Sequence, residues 1–155
     1  MLGDITKKKL PKRFDFVTAI NDCLNYIPKD KLDKALKNIN GMLKTGGVFL
    51  FDVSSPRKYQ RKIANTVSVD DREEITYLAF NRLDGDIATL DVTLFVKDGE
   101  KYIRKDETHT QYVYTEEEIT LALQRNGFSI QRAEGHLGEE KRESDRLCFL
   151  AKKEK

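Results

Sequence analysis

The chain has 155 residues, enough for one domain with a real core. Its 28 basic and 26 acidic residues leave a net charge of +2, and 35% of positions are charged against 39% hydrophobic. That balance argues against nucleic acid or a membrane surface as partner. No run reaches transmembrane length, and the opening MLGDITKKK lacks the apolar stretch of a secretory signal, so a cytoplasmic protein is expected. The basic run Lys7, Lys8, Lys9, Lys12 and Arg13 reads as a solvated face. Cys23 and Cys148 sit in apolar segments and read as reduced, buried thiols. His109 and His136 have no second ligand at metal spacing, so no metal site is expected.

Phe14 to Ile20 (FDFVTAI) is a short apolar run without helical period and reads as a buried strand. A loop from Asn21 to Lys29 follows. From about Asp30, Leu32, Ala35, Leu36, Ile39, Met42 and Leu43 recur at three- and four-residue steps, the pattern of an amphipathic helix. Thr45, Gly46 and Gly47 are expected to end it. Val48 to Val53 is apolar apart from Asp52, as in a strand covered on both faces. Strand, helix and strand form a βαβ unit with a right-handed crossover.

Beyond Asp70 the pattern changes. Ile75 to Leu83 is a strand candidate, and Asp84-Gly85 is a hairpin signal. Leu90, Val92, Leu94 and Val96 alternate with Thr89, Asp91, Thr93 and Phe95, so one face of this strand is buried. Asp98-Gly99 marks a second hairpin, and Tyr102 to Tyr114 the third strand of an antiparallel meander. Thr115 and Glu118 make a capping box for a helix that Gly127 ends. Phe128 to Ala133 and Arg146 to Lys152 read as a closing strand pair around a charged loop.

Four segments in this order resemble the class I S-adenosylmethionine-dependent methyltransferases. Gly3-Asp4-Ile5 is similar to the end of that family's third strand. FDFVTAINDCLNYI (residues 14–27) resembles its fourth strand and following loop. LKTGGVFLFDV (residues 43–53) resembles the L-K-P-G-G turn and fifth strand, with Thr45 in place of proline. YTEEEITLALQRNGF (residues 114–128) resembles the helix and sixth strand near the C-terminus. The meander resembles a subgroup of small-molecule N-methyltransferases acting on glycine and amino sugars. The resemblance covers nearly the whole chain, and it is to the family's C-terminal part. The glycine-rich motif after the first strand has no match, nor has the acidic residue ending the second.

The fold class implied is α/β: a partial Rossmann-like methyltransferase sheet, its C-terminal half, with an inserted antiparallel β-meander. Residues 1–53 and 114–155 are the core and 70–113 the meander. The cofactor implied is S-adenosylmethionine. By resemblance Asp4, with Ile5, meets the adenine. Asn21, Asp22, Leu24 and Asn25 face the methionine end and the transferred methyl, Asp22 and Asn25 being the polar candidates. Asn21 and Asp22 also fit an ordinary Asx-type turn, and Asp4 a fraying tail. Tyr26 follows on the same loop at the substrate side.

Asp52 interrupts an apolar strand. A buried carboxylate needs a partner, so it is expected near the strand's end, at the site mouth or a helix N-terminus. His109 and Gln111 are two apart on a strand and share a face. There they would touch substrate, with His109 orienting an amine or acting as general base, unless that face is plain polar surface. Asn25 and His109 are the catalytic candidates; alignment of a lone pair, not a triad, is what methyl transfer requires.

The function implied is methylation of a small molecule, by a chain truncated so that the main cofactor motif is absent and that is inactive alone. The alternative is an inactive fragment that folds and self-associates through an exposed sheet edge. The expected partner beyond substrate is therefore a second copy or a missing N-terminal half.

Overall fold

The computed structural model describes residues 3–7 and 10–154. Lys8 and Lys9 of the basic run lie outside the described residues. The strands are β1 (Phe14–Ala19), β2 (Leu43–Ser54), β3 (Val67–Asp71), β4 (Ile75–Asp84), β5 (Ile87–Asp98), β6 (Lys101–Tyr112), β7 (Phe128–Gly135) and β8 (Arg146–Lys153). The α-helices are α1 (Leu32–Met42), α2 (Pro56–Lys58) and α3 (Glu116–Arg125), and Tyr59–Ile63 continues α2 with wider, π-type winding.

Two four-stranded sheets result, with orders β1-β2-β8-β7 and β3-β4-β5-β6. In the first, β1 and β2 are parallel and the remaining pairs antiparallel. The second is antiparallel throughout.

Alternation along β2 sends Phe49, Phe51 and Val53 to one face. There they meet Leu36 and Ile39 of α1 and Ile119 and Leu123 of α3, all buried in one core. The apolar spacing of α1 predicts that contact. Thr115 starts α3 as expected: its Oγ1 accepts from the Glu118 N–H at 3.1 Å, and Glu118 Oε2 accepts from the Thr115 N–H at 2.8 Å. Such a box satisfies two orphan helix donors at once.

Several expectations are corrected. Helix α1 ends at Met42, before the glycines, because the Lys153 ammonium donates to the Asn40 and Leu43 carbonyls at 2.9 Å each and closes the helix there. Gly46 and Gly47 instead form a bulge inside β2: Phe14 pairs with Leu43 but Phe16 with Val48. Gly46 has φ +76°, and a Cβ on Gly47 would lie 2.9 Å from the Lys44 carbonyl oxygen.

Strand β1 is not covered on both faces. Val17 and Ala19 pack on the core, while Phe16 is 52% exposed. β2 is its single ladder partner among the described residues.

The meander has four strands where the sequence pattern predicts three, β3 being the additional one. Its hairpins fall where Asp-Gly signalled them, with Gly85 at φ +58° and Gly99 at +63°. Cys23 is exposed and Cys148 half-buried, so neither is the buried thiol expected. In the 3₁₀ turn Cys23–Tyr26, Leu24 and Asn25 take the inward positions.

Candidate functional site

In an open α/β sheet the crevice lies beyond the carboxyl ends of the strands. Here β1 and β2 both deliver their C-termini to one edge, and the second sheet meets the first there.

The turn after β1 is held in a demanding shape. Asn21 and Asp22 have φ +59° and +48°, a left-handed conformation that Asn and Asp tolerate better than most residues. Asp52, near the end of β2, fixes it. Its Oδ1 accepts from the Asn21 N–H at 2.8 Å and its Oδ2 from the Asp22 N–H at 2.9 Å. The Arg146 guanidinium pairs with the same carboxylate. Asp52 thus has the expected position at the strand's end, and its buried charge is compensated by three donors.

Asp22 gathers a second network. Its Oδ2 accepts from Ser54 Oγ at 3.0 Å and from Gln111 Nε2 at 3.1 Å. The Lys58 ammonium donates to Ser54 Oγ at 2.8 Å, and the Tyr59 hydroxyl to Gln111 Oε1 at 3.0 Å. Burial pushes the Tyr59 phenol well above its ordinary value, so it stays a donor. Gln111 of β6 is therefore bound to the β1 turn, and the chain of polar groups joins the two sheets.

Asn25 is brought to the same junction but not to an open position. Its Nδ2 donates to the Tyr112 carbonyl and its Oδ1 accepts from the Ser54 N–H, each at 2.9 Å, with the side chain fully buried. Both ends of the amide are committed to backbone. The side chain positions β2 and β6 against each other. Tyr114 reinforces the junction, its hydroxyl donating to the Ile27 carbonyl at 2.6 Å.

A cleft of about 410 Å³ opens on the core side of β1. Asp4, Ile5, Leu24 and Tyr26 line it, together with Val17, Ala19, Ile39 and Phe49. Four of the sequence-derived candidates are thereby brought together, while Asn21, Asp22 and Asn25 lie outside this lining. Asn21 and Asp52 line a separate hollow of about 420 Å³ with His136, Arg146 and Cys148.

The Asp4 segment is tied down. The Thr6 hydroxyl and N–H donate to Asp4 Oδ1 at 2.7 and 2.8 Å, and Asn38 Nδ2 donates to the Ile5 carbonyl at 2.7 Å. The Thr6 bonds hold the Asp4 carboxyl below its ordinary range, so it remains an acceptor at neutral pH.

At the cleft's rim Tyr26 meets His109 of β6 edge to face, ring centroids 6.0 Å apart. His109 Nε2 lies 3.3 Å from Glu107 Oε2. A larger groove, about 720 Å³, lies at the opposite sheet edge beside Gly46 and Lys152, far from these groups.

Ser54, Lys58, Tyr59 and Arg146 belong to this constellation and were not singled out from sequence. Two signals were present. Ser55-Pro56 is a helix-start pair, Ser55 Oγ accepting from the Lys58 N–H at 3.3 Å. That start places Tyr59 directly after β2. Asp52, as a buried carboxylate, signalled that a partner must stand nearby without saying which residue.

A mixed sheet backed by helices, with a β-meander standing over its carboxyl edge, is the fold of the class I methyltransferases. In fold and in sequence the chain is similar to S-adenosylmethionine-dependent proteins of that kind. It is 34% identical over 148 residues to the Bacillus subtilis (strain 168) protein named "Putative methyltransferase YqeM", covering 92% of this chain and 60% of the relative. It superposes with TM-score 0.94 on an S-adenosylmethionine-dependent methyltransferase from Clostridium acetobutylicum ATCC 824, at 30% identity, over 100% of this chain and 64% of that one. The amino pentose methyltransferase CalS10 from Micromonospora echinaspora shares the fold at TM-score 0.75 and 22% identity, over 97% of this chain and 63% of its own. The chain thus spans about 60% of the length of the curated relative. No family model matches it.

Proposed function

We propose that this chain forms the acceptor-side part of a methyltransferase that uses S-adenosylmethionine to methylate an amine of a small molecule. The observation that carries the reading is the cleft beside β1, which ends at the Tyr26–His109 pair. Its chemistry fits one end of the cofactor. Ile5, Leu24 and Ile39 offer apolar walls for a flat ring, and Asp4 is an ionised acceptor for an exocyclic amino group. The volume is within the range of small-molecule sites. The cofactor, when bound, supplies a methyl on a sulfonium.

The residues of this chain do the rest. Tyr26 and His109 wall the rim. His109, beside Glu107, takes a proton from an incoming ammonium so that the nitrogen lone pair is free. Asp22, Gln111 and Asn25 keep the two sheets in register, and alignment is most of what this reaction asks of a protein. The glycine-rich loop that holds the remainder of the cofactor has no counterpart in this sequence, so the chain alone engages chiefly the adenine end. Calorimetric titration of the chain with S-adenosylhomocysteine is expected to give measurable binding that Asp4→Ala weakens roughly tenfold. Absence of binding up to millimolar ligand would overturn the assignment for this chain.

A second reading is non-catalytic, a chain that associates with its own copy. It is favoured by the outer edge of β1, which has no ladder partner among the described residues and carries the exposed Phe16. Sedimentation equilibrium is expected to show a dimer that Phe16→Lys dissociates. A wild-type monomer at high concentration would rule it out.

A further inference from the structure

The two edges of the second sheet are dressed differently. β6, on one side, carries Lys101, Arg104, Lys105, Asp106 and Glu107, the kind of charge that keeps an edge from pairing with another chain. β3, on the other side, has β4 as its single ladder partner among the described residues, and Val67, Ser68 and Val69 are uncharged. Its register against β4 runs without a bulge. Val67 is 59% exposed and Val69 61%, and Phe80, the ladder partner of Val67, is 50% exposed. Directly paired residues share a face, so these three form one apolar strip beside an open edge.

The backbone of the same residues is free to bond outward. The Asn81 N–H donates to the Thr66 carbonyl at 2.8 Å, and Arg72 and Ile75 exchange N–H to carbonyl bonds at 3.0 and 3.2 Å. Bonded and non-bonded positions alternate along an antiparallel ladder, so Ser68 and Asp70 also turn their backbone to β4. The N–H and C=O groups of Val67 and Val69 then face the free edge. The apolar side chains and the open backbone that an added strand needs sit on the same two residues.

Charge selects the strand that fits. The segment leading into β3 is basic, with Arg57, Lys58, Arg61 and Lys62, and the end of β3 with its following turn is acidic, with Asp70, Asp71, Glu73 and Glu74. Arg57 pairs with Glu143 and Asp145, Lys62 with Asp145 and Arg72 with Asp70, and Lys97 approaches Glu73 and Glu74 at 3.8 and 3.5 Å. These internal pairs reduce both charges and reverse neither. A second copy laid antiparallel sets the basic end of each chain beside the acidic end of the other. A parallel copy would set like against like, and such repulsion rejects the wrong arrangement.

We propose that β3 is a dimerisation edge, at which two copies of this chain pair antiparallel about a two-fold axis at Ser68 and join their second sheets into one. Val67 of each copy exchanges backbone bonds with Val69 of the other, and the valines and Phe80 rings of both copies fall on one face. A contact of this symmetry closes on itself. It goes beyond the methyl-transfer reading and does not depend on it. It is also distinct from contact through β1, which lies in the other sheet.

Sedimentation equilibrium of the full chain is expected to show a dimer that weakens with added salt. Val69→Lys, at an exposed position, is expected to raise the dissociation constant at least about tenfold, while Phe16→Lys leaves it unchanged. Arg61→Glu and Glu73→Lys are each expected to weaken self-association, because each sets like charges together, and an equimolar mixture of the two variants is expected to recover it. In the wild-type protein, amide hydrogen exchange at Val67 and Val69 is expected to slow as chain concentration rises, with Ser68 unchanged. A wild-type monomer up to millimolar chain would overturn the proposal. So would a dimer that Phe16→Lys dissolves and Val69→Lys spares, a mixture that associates no better than its components, or exchange at Val67 and Val69 that ignores concentration.

Discussion

Phe51→Ala is expected to destabilise the protein by about 3–5 kcal/mol, measured by urea denaturation followed by circular dichroism. Phe51 is the middle of an aromatic column. It stacks on Phe49 of its own strand at 4.6 Å between centroids and on Phe149, its ladder partner in β8, at 5.0 Å. Phe128 of β7 continues the column from Phe49 at 6.0 Å. Strands β2, β7 and β8 therefore share one core through these rings, and Phe51 is almost completely shielded from water. Removing it forfeits the transfer free energy of a large side chain and leaves a cavity that flanking rings, fixed on strands, cannot fill. Phe51→Leu should recover part of the loss. A Phe51→Ala cost below about 1.5 kcal/mol would mean that the column collapses freely.

Asp52→Ala is expected to cost a similar amount, about 3–5 kcal/mol, for a different reason. The substitution leaves Arg146 only the more distant Asp22 Oδ1, 3.9 Å away, and takes the acceptor from the N–H groups of Asn21 and Asp22. Those two residues hold positive φ, a conformation worth keeping only while the carboxylate rewards it. Relaxation of the turn would then pull Asp22 from Ser54 and Gln111, and the junction between the sheets with it. Asp52→Leu combined with Arg146→Met should be milder than Asp52→Ala alone, because a buried ion pair replaced by apolar groups loses both its attraction and its desolvation cost. If the double variant is the less stable, the network is needed for more than charge balance. Equal stability of Asp52→Ala and wild type would contradict the anchoring role outright.

Helices α1 and α3 and the strands of the first sheet were legible because each has one buried face. The three-to-four spacing of Leu32, Leu36 and Ile39 and the alternation of Phe49, Phe51 and Val53 leave little choice of orientation. β3 was not, since Val67–Asp71 is exposed at every position and carries no burial period. The glycine pair misled because a helix stop and a β-bulge ask the same freedom of a residue; the deciding partner, Lys153, lies far along the sequence. At the site, Asp52 was readable as a residue in need of partners, and its partners were not, because no local pattern connects it to Arg146. Asn25 shows the converse. Its place in the loop was legible, while its commitment to the Tyr112 carbonyl and the Ser54 N–H depends on two strands closing around it.

The order β1-β2-β8-β7 has a consequence for vectorial synthesis on the ribosome. β8, the strand that fills the gap between β2 and β7, is translated after both. Until it emerges, β2 has an open edge, Phe51 lacks the second of its two stacking rings, and Asp52 lacks Arg146. Nascent chains therefore carry the hydrophobic centre and the site anchor unfinished until β8 is made. The final assembly depends on non-local pairing, the slow and mispairing-prone kind.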